Sequence, residues 1–305
     1  MNPSPGPTET RVGVSAAVGA YLLWGFLPLY FLLLAPASPW EIVAWRIVMS
    51  LAFCAILLTA MRSWPGFARA FADRALMRTM FLAGALIFVN WLVFLIAALS
   101  GRVVEAALGY FINPVVTVFL GVLVLRERLN RWQWAAVGLS IVAFLVIAFG
   151  YGEVPWISLA LAVSFGFYGL IKRRVGPRVD ATTGLAIETL VLVPVAVVVL
   201  GVIAATGGLT FGRVSAAHTI AMVGVGAITA IPLLFFAAAA RRLPLVALGF
   251  FQYLAPIFQL LVGVVILHEP MPLERWIGFA LVWAALIILT VNAVAKLQRA
   301  PERVI

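Results

Sequence analysis

Hydrophobic residues run in long blocks along the chain, and polar residues are confined to short stretches between them. Breaks at Pro, Gly and charge clusters leave apolar spans at 12–34, 39–60, 79–99, 103–125, 131–149, 155–175, 183–205, 217–240, 245–267 and 273–295. Each is close to the roughly 20 residues with which a helix crosses a hydrocarbon core of about 30 Å. The short alternating segments of a membrane β-barrel do not occur. The pattern predicts an all-α integral membrane protein of ten transmembrane helices.

Composition agrees. Of 305 residues, 65% are hydrophobic and 10% charged, against roughly 25% charged in an average soluble domain. A soluble fold cannot hide that much apolar surface, so soluble enzymes, secreted scaffolds and disordered chains are excluded. The net charge of +10 raises nucleic acid as a partner. The bases, however, sit between apolar runs and not on one face with polar or aromatic readers, so no nucleic-acid partner is expected. With the N-terminus inside, only Arg102, Arg213 and Arg275 fall at the outer side and only Arg46 deep within a span, away from either end. Every other Lys and Arg lies on the inner side. That asymmetry predicts a multi-pass protein with both termini cytoplasmic. The first span is too long for a signal-peptide core and is read as a retained helix. With tails this short, no soluble appendage is expected.

The chain overlays on itself at an offset of 142 positions, pairing Pro114 with Pro256, Gly121 with Gly263, Glu127 with Glu269 and Trp134 with Trp276. The halves are then 1–150 and 151–305, each of five helices. An odd number of crossings sets the second copy upside down, and inverted repeats are a carrier signature.

The same offset pairs Arg46 with Glu188, each about 12 Å from its own interface at a rise of 1.5 Å per residue. Charges at that depth should face each other or a wet cavity. They read as a gate, an anion-binding base or a proton-responsive pair, or as a structural ion pair joining the halves. Glu41 reads as an interfacial residue, and Glu105 either caps its own helix or reaches Arg46. In the ninth span Gly249, Gln252, Pro256, Gln259 and Gly263 share a face, which either packs against a neighbour or lines a pathway. Glu105, Gly109, Asn113 and Thr117 form the parallel set in the fourth, with Tyr110 and Pro114 alongside. Pro114 and Pro256 free backbone carbonyls, tolerable where these line a cavity. Trp24 and Trp91 lie too deep to be interface anchors. Ser164, Tyr168 and Lys172 share one face. Cys54 reads as helix packing, and neither His218 nor His268 has partners for a metal site. No phosphate loop, nucleophile elbow or metalloprotease helix occurs. No enzyme activity, cofactor or metal is expected, and transport would run on gradients or exchange.

The runs Leu108-Gly109-Tyr110-Phe111-Ile112-Asn113-Pro114 and Leu125-Arg126-Glu127-Arg128-Leu129 resemble the RarD-type group of the EamA family, in the drug/metabolite transporter superfamily. So do Asn90-Trp91, Ser164-Phe165-Gly166-Phe167-Tyr168-Gly169-Leu170, Ile187-Glu188-Thr189 and Leu248-Gly249-Phe250-Phe251-Gln252-Tyr253. The group is often labelled chloramphenicol-sensitive. The resemblance implies a ten-helix inner-membrane carrier of two inverted halves, with a central cavity lined by helices 1, 3, 4, 6, 8 and 9. Carried onto this chain, that cavity takes Tyr21, Trp24, Asn90, Trp91, Tyr110, Asn113, Tyr168, Gln252 and Tyr253. Arg46 and Glu188 match positions of gating or coupling. His268 departs from the Gly that many relatives carry there. The resulting expectation is a permease exporting a small amphipathic or aromatic solute by alternating access, with a non-transporting sensor or scaffold as the alternative. Arg46 is the base read as available to hold a carboxylate. Spans five and ten, nearly featureless, face lipid or a second subunit, so a homodimer is possible through them.

Overall fold

The computed structural model describes residues 7–125, 129–151, 154–175, 178–240, 242–243, 248 and 251–299. Among them there are helices and connections and no strand. The order is α1 (Pro7–Leu32), α2 (Pro39–Ala60), α3 (Trp64–Ala72), α4 (Arg74–Leu99), α5 (Val103–Leu125), α6 (Arg131–Tyr151) and α7 (Trp156–Val175). There follow α8 (Ala181–Ala205), α9 (Ala216–Ala240), α10 (Leu254–Leu261), a π-helical turn (Val262–Ile266) and α11 (Leu273–Arg299). Eight of these helices are long and apolar enough to cross a membrane, and Trp156–Lys172 and Leu254–Ile266 are shorter apolar helices.

Helix starts follow local chemistry. Ser38 accepts the Glu41 N–H ahead of Pro39, Asp73 accepts from Ala75 and Leu76, and Asp180 from Thr183. Each satisfies amides that a first helical turn leaves unpaired.

Two differences from the sequence reading have local causes. The stretch between the second and third spans holds a nine-residue amphipathic helix, α3. Phe67 packs toward Leu76, Met80 and Ile187 while Trp64 and Phe71 stay exposed. Its apolar face is too short to register as a span. The ninth span is not one regular helix: α10 begins only at Leu254, which puts Pro256 in its first turn, where a missing N–H matters least. Gly249 and most of residues 241–250 lie outside the described residues, as does Glu127.

The connections at 33–38, 100–102, 206–215 and 267–272 meet at one end of the bundle, called distal here, where side chains of one reach backbone of another. At the proximal end Asp73 pairs with Arg178 and Asn130 with Asn292. One core cluster is built on α1, α2, α4, α8 and α9 and a second on α5, α6, α10 and α11. α6 and α11 pack on each other, with Gly278 against Ile147, and turn Phe149, Ile287 and Val291 outward. Cys54 is buried as packing.

Candidate functional site

A polar layer crosses the middle of the first cluster. Arg46 on α2 is 4% exposed. Its Nε donates to Thr229 Oγ1 of α9 at 3.0 Å, and its guanidinium lies 4.1 Å from the Trp91 ring centroid and 5.5 Å from that of Phe31. Gly226 makes this contact possible: a Cβ there would run into the Met49 backbone of α2, so α9 sits against α2 one turn from Thr229. Next to Trp91, Asn90 Nδ2 donates to Ser164 Oγ at 3.1 Å and to Leu161 O at 3.3 Å, and its Oδ1 accepts from Tyr110 Oη at 3.1 Å. Side chains of α2, α4, α5, α7 and α9 therefore meet in one layer. Phe31, Phe94, Tyr110, Phe165 and Tyr168 form a continuous row of edge-on and tilted rings along it.

At the proximal side of the row, Glu188 on α8 is buried. Its Oε1 accepts from Lys172 Nζ at 2.8 Å and its Oε2 from Tyr168 Oη at 3.1 Å. Of the two arrangements expected for Arg46 and Glu188, facing each other or facing a wet cavity, the first does not occur. They stand on helices that pack together extensively, but Arg46 turns to α4 and α9 while Glu188 turns to α7. The partner missed was Lys172, whose place four residues after Tyr168 in the Ser164–Tyr168–Lys172 stripe already set it on that face.

Other candidates lie apart from this layer. Tyr21 and Trp24 form an aromatic cluster with Phe236. Gln259 donates to the Trp24 carbonyl, which ties α10 to α1. Gln252 is exposed. Asn113 accepts from Thr117, and its Nδ2 is buried without a hydrogen-bond partner; Pro114 lies beside it inside α5. Gly109 and Gly263 mark close packing, against the Ser158 backbone and against Val104 respectively. An apolar groove of about 700 Å³ opens between α5, α10 and α11; of the sequence candidates, Tyr253 lines it.

Three distal carboxylates accept backbone amides of other segments. Glu41, expected at the interface, is fully buried and accepts from the amides of Thr210 and Phe211 at 2.9 and 3.0 Å and from Thr210 Oγ1 at 3.0 Å. Glu269 accepts from the Val103 and Val104 amides at 2.6 and 2.9 Å, capping α5. Glu105 caps neither its own helix nor Arg46: it accepts the Ile157 amide at 2.9 Å, the first turn of α7, and pairs with Arg102 at 2.6 Å. Burial lifts the Glu269 carboxyl above its usual range, opposed by the Val104 and Val103 amides and by Arg275, with Glu105 adding to the rise. His268 beside it has φ 52°, the left-handed region that suits Gly.

The helical fold, with eight helices long and apolar enough to cross a membrane, is that of an integral membrane protein. The profile of the EamA-like transporter family matches residues 11–149 and again 154–291, and the chain belongs to that family. It is 46% identical to Protein RarD of Streptomyces exfoliatus over 97% of this chain and 93% of that one. It is 39% identical to the uncharacterized transporter YojE of Bacillus subtilis (strain 168), over 96% and 98% of the two chains. A Pseudomonas aeruginosa relative at 30% identity, over 95% and 97%, carries the name chloramphenicol-sensitive protein RarD. A solved crystal structure shares the fold at TM-score 0.59 and 19% identity, over 94% of this chain and 98% of that one.

Proposed function

We propose that this protein is a secondary carrier that moves a small amphipathic or aromatic solute outward across the cell's inner membrane by alternating access. The observation that carries the reading is the mid-depth layer of Arg46, Asn90, Trp91, Tyr110 and Ser164. Aromatic walls with a few convergent polar groups suit a flat, amphipathic solute, and polar groups buried within membrane spans mark solute or ion paths by default.

Two inverted halves, 1–150 and 151–305, with ten crossings in all, would supply the two states. The packing supports this. Exchanging the halves turns α5 on α7 into α10 on α1, α2 on α9 into α8 on α4, and α1 on α9 into α7 on α4; all six pairs are present. Rocking one half on the other would expose the layer to each side in turn. The clasps of Glu41 and Glu269 join one half to the other at the distal end and must release for it to open. With both termini cytoplasmic, that end faces outward and the layer loads from the cell interior. α6 and α11, at the periphery, would carry any homodimer contact.

The test is uptake and counterflow in proteoliposomes against a panel of amino acids, aromatic metabolites, nucleosides and amphenicols, the last because of the name one relative bears. Saturable flux that falls at least tenfold in Asn90→Ala or Trp91→Ala supports the carrier. Flux equal to empty liposomes across the panel sinks it and moves a sensor or scaffold role ahead.

A further inference from the structure

The polar layer leaves one positive charge without a counter-charge. Among the described residues no carboxylate lies within ion-pair reach of Arg46. The acid at the matching position, Glu188, has one oxygen on Lys172 and the other on Tyr168. Thr229, which receives the Arg46 Nε–H, is a neutral hydroxyl already bonded to the Val225 carbonyl at 2.7 Å. Trp91 and Phe31 offer ring faces, which compensate a guanidinium only in part. Arg46 Nη1 is buried with no hydrogen-bond partner. A guanidinium keeps its proton in proteins, and a desolvated, unpaired charge is strongly unfavourable. Such an arrangement is complementary to something that brings a negative charge.

We infer that Arg46 is the recognition point for an organic monoanion, and that the solutes of this carrier are small aromatic or aliphatic carboxylates. The inference rests on the carrier reading and adds the chemical class. Guanidinium donors at Nη match a planar carboxylate. The Thr229 bond and the Trp91 face hold the group in one orientation and leave Nη1 as the unsatisfied donor. The apolar part of the solute then lies along the ring row of Phe31, Phe94 and Tyr110, where Tyr110 and Asn90 offer neutral polar contacts. A single unpaired base among rings suits one negative charge and disfavours di- and trianions, whose second charge would be stranded. Cations are repelled, and a neutral solute can accept the Nη1 hydrogen bond but leaves the positive charge uncompensated.

The experiment uses the full chain in detergent micelles and in proteoliposomes, with phenylacetate, phenylpropionate and benzoate against phenylacetamide, benzyl alcohol and phenethylamine. The expected result is a rise of several degrees in the unfolding midpoint with at least one carboxylate, with little or no shift from the amide, alcohol or amine. Affinity for that acid should fall about tenfold or more in Arg46→Gln, the loss of a charge-assisted hydrogen bond. Should Arg46→Gln not fold, the unaltered protein still decides: binding of the acid must weaken as pH drops through the acid's own pKa, about 4, while the weak response to the amide stays flat. Equal binding or transport of the amide and the acid, or of the acid by folded Arg46→Gln, overturns the anion assignment and leaves the carrier standing. Absence of flux for every solute of either charge class removes both.

Discussion

Arg46 and Glu188 stand 142 residues apart on two helices that pack together, and they do not pair. Lys172 and Tyr168 take the carboxylate, and Thr229 with Trp91 takes the guanidinium. Each is the eighth residue of its helix; the direction in which each side chain leaves its helix differs. The two buried charges consequently serve separate surroundings, and each can be tested without the other.

Removing one member of the Glu188 pair strands the other. Lys172→Met should lower stability by about 2–3 kcal/mol, below the 3–5 of a fully buried pair because the Lys172 side chain is 31% exposed. Lys172→Met combined with Glu188→Gln should be less destabilised than the sum of the single changes. Denaturation of the single and double variants in mild detergent checks this. Additive losses would mean that the two groups do not interact.

Glu41→Ala leaves the Thr210 and Phe211 amides and the Thr210 hydroxyl without their acceptor. A loss of about 2–4 kcal/mol follows from unsatisfied buried donors. If the clasp holds the distal end shut, a cysteine placed at Ala106 in Glu41→Gln should also label faster with a membrane-impermeant maleimide than the same cysteine in the parent. Cys54 is first replaced by Ala in both. Unchanged labelling would assign Glu41 to local loop structure alone.

Glu269 makes stability depend on pH with a defined sign. Its carboxyl is raised above the ordinary 4.5, by burial first. Below the ordinary value it is protonated in both folded and unfolded chains. As pH rises past that value the unfolded chain ionises first, so the folded state loses stability until its own raised value is passed. The unfolding midpoint should therefore decline across that window and decline less in Glu269→Gln. Asp73, held below its usual range chiefly by the Leu76 amide, has the opposite sign: its contribution is lost as pH falls.

His268 occupies φ 52° with a β-carbon that this region disfavours. His268→Gly should raise stability by about 1 kcal/mol, the left-handed penalty exceeding the extra freedom of Gly in the unfolded chain. A lower unfolding midpoint for this variant would show that the imidazole makes a compensating contact.

Much of the candidate layer was legible residue by residue. Asn90, Trp91 and Tyr110 stand out as polar or amphipathic groups deep in apolar spans, and the structure joins Tyr110 and Ser164 through Asn90 and sets Trp91 against Arg46. Glu41 and Glu105 were harder, because their partners are backbone amides, which leave no mark in a sequence. Gln252 and Gln259 share a helix face in sequence, yet the irregular start of α10 at Leu254 puts one outside and the other against Trp24. α3 escaped notice because nine residues are too few to form an apolar span, although its two faces are distinct.

Hydropathy alone established the helical, membrane-embedded character of the chain and the place of nearly every span, since the absence of water in the bilayer leaves an apolar run few other conformations. The family was readable from short motifs at the same stage. Partner choice was settled only in three dimensions. Whether Glu188 meets Arg46 or Lys172, and whether Glu269 caps its own turn or the start of α5, depends on the rotation and offset of whole helices. Those are set by contacts such as Gly226 against the Met49 backbone, between residues far apart in the chain. A shift of one residue turns a side chain by about 100° around its helix, enough to exchange one partner for another.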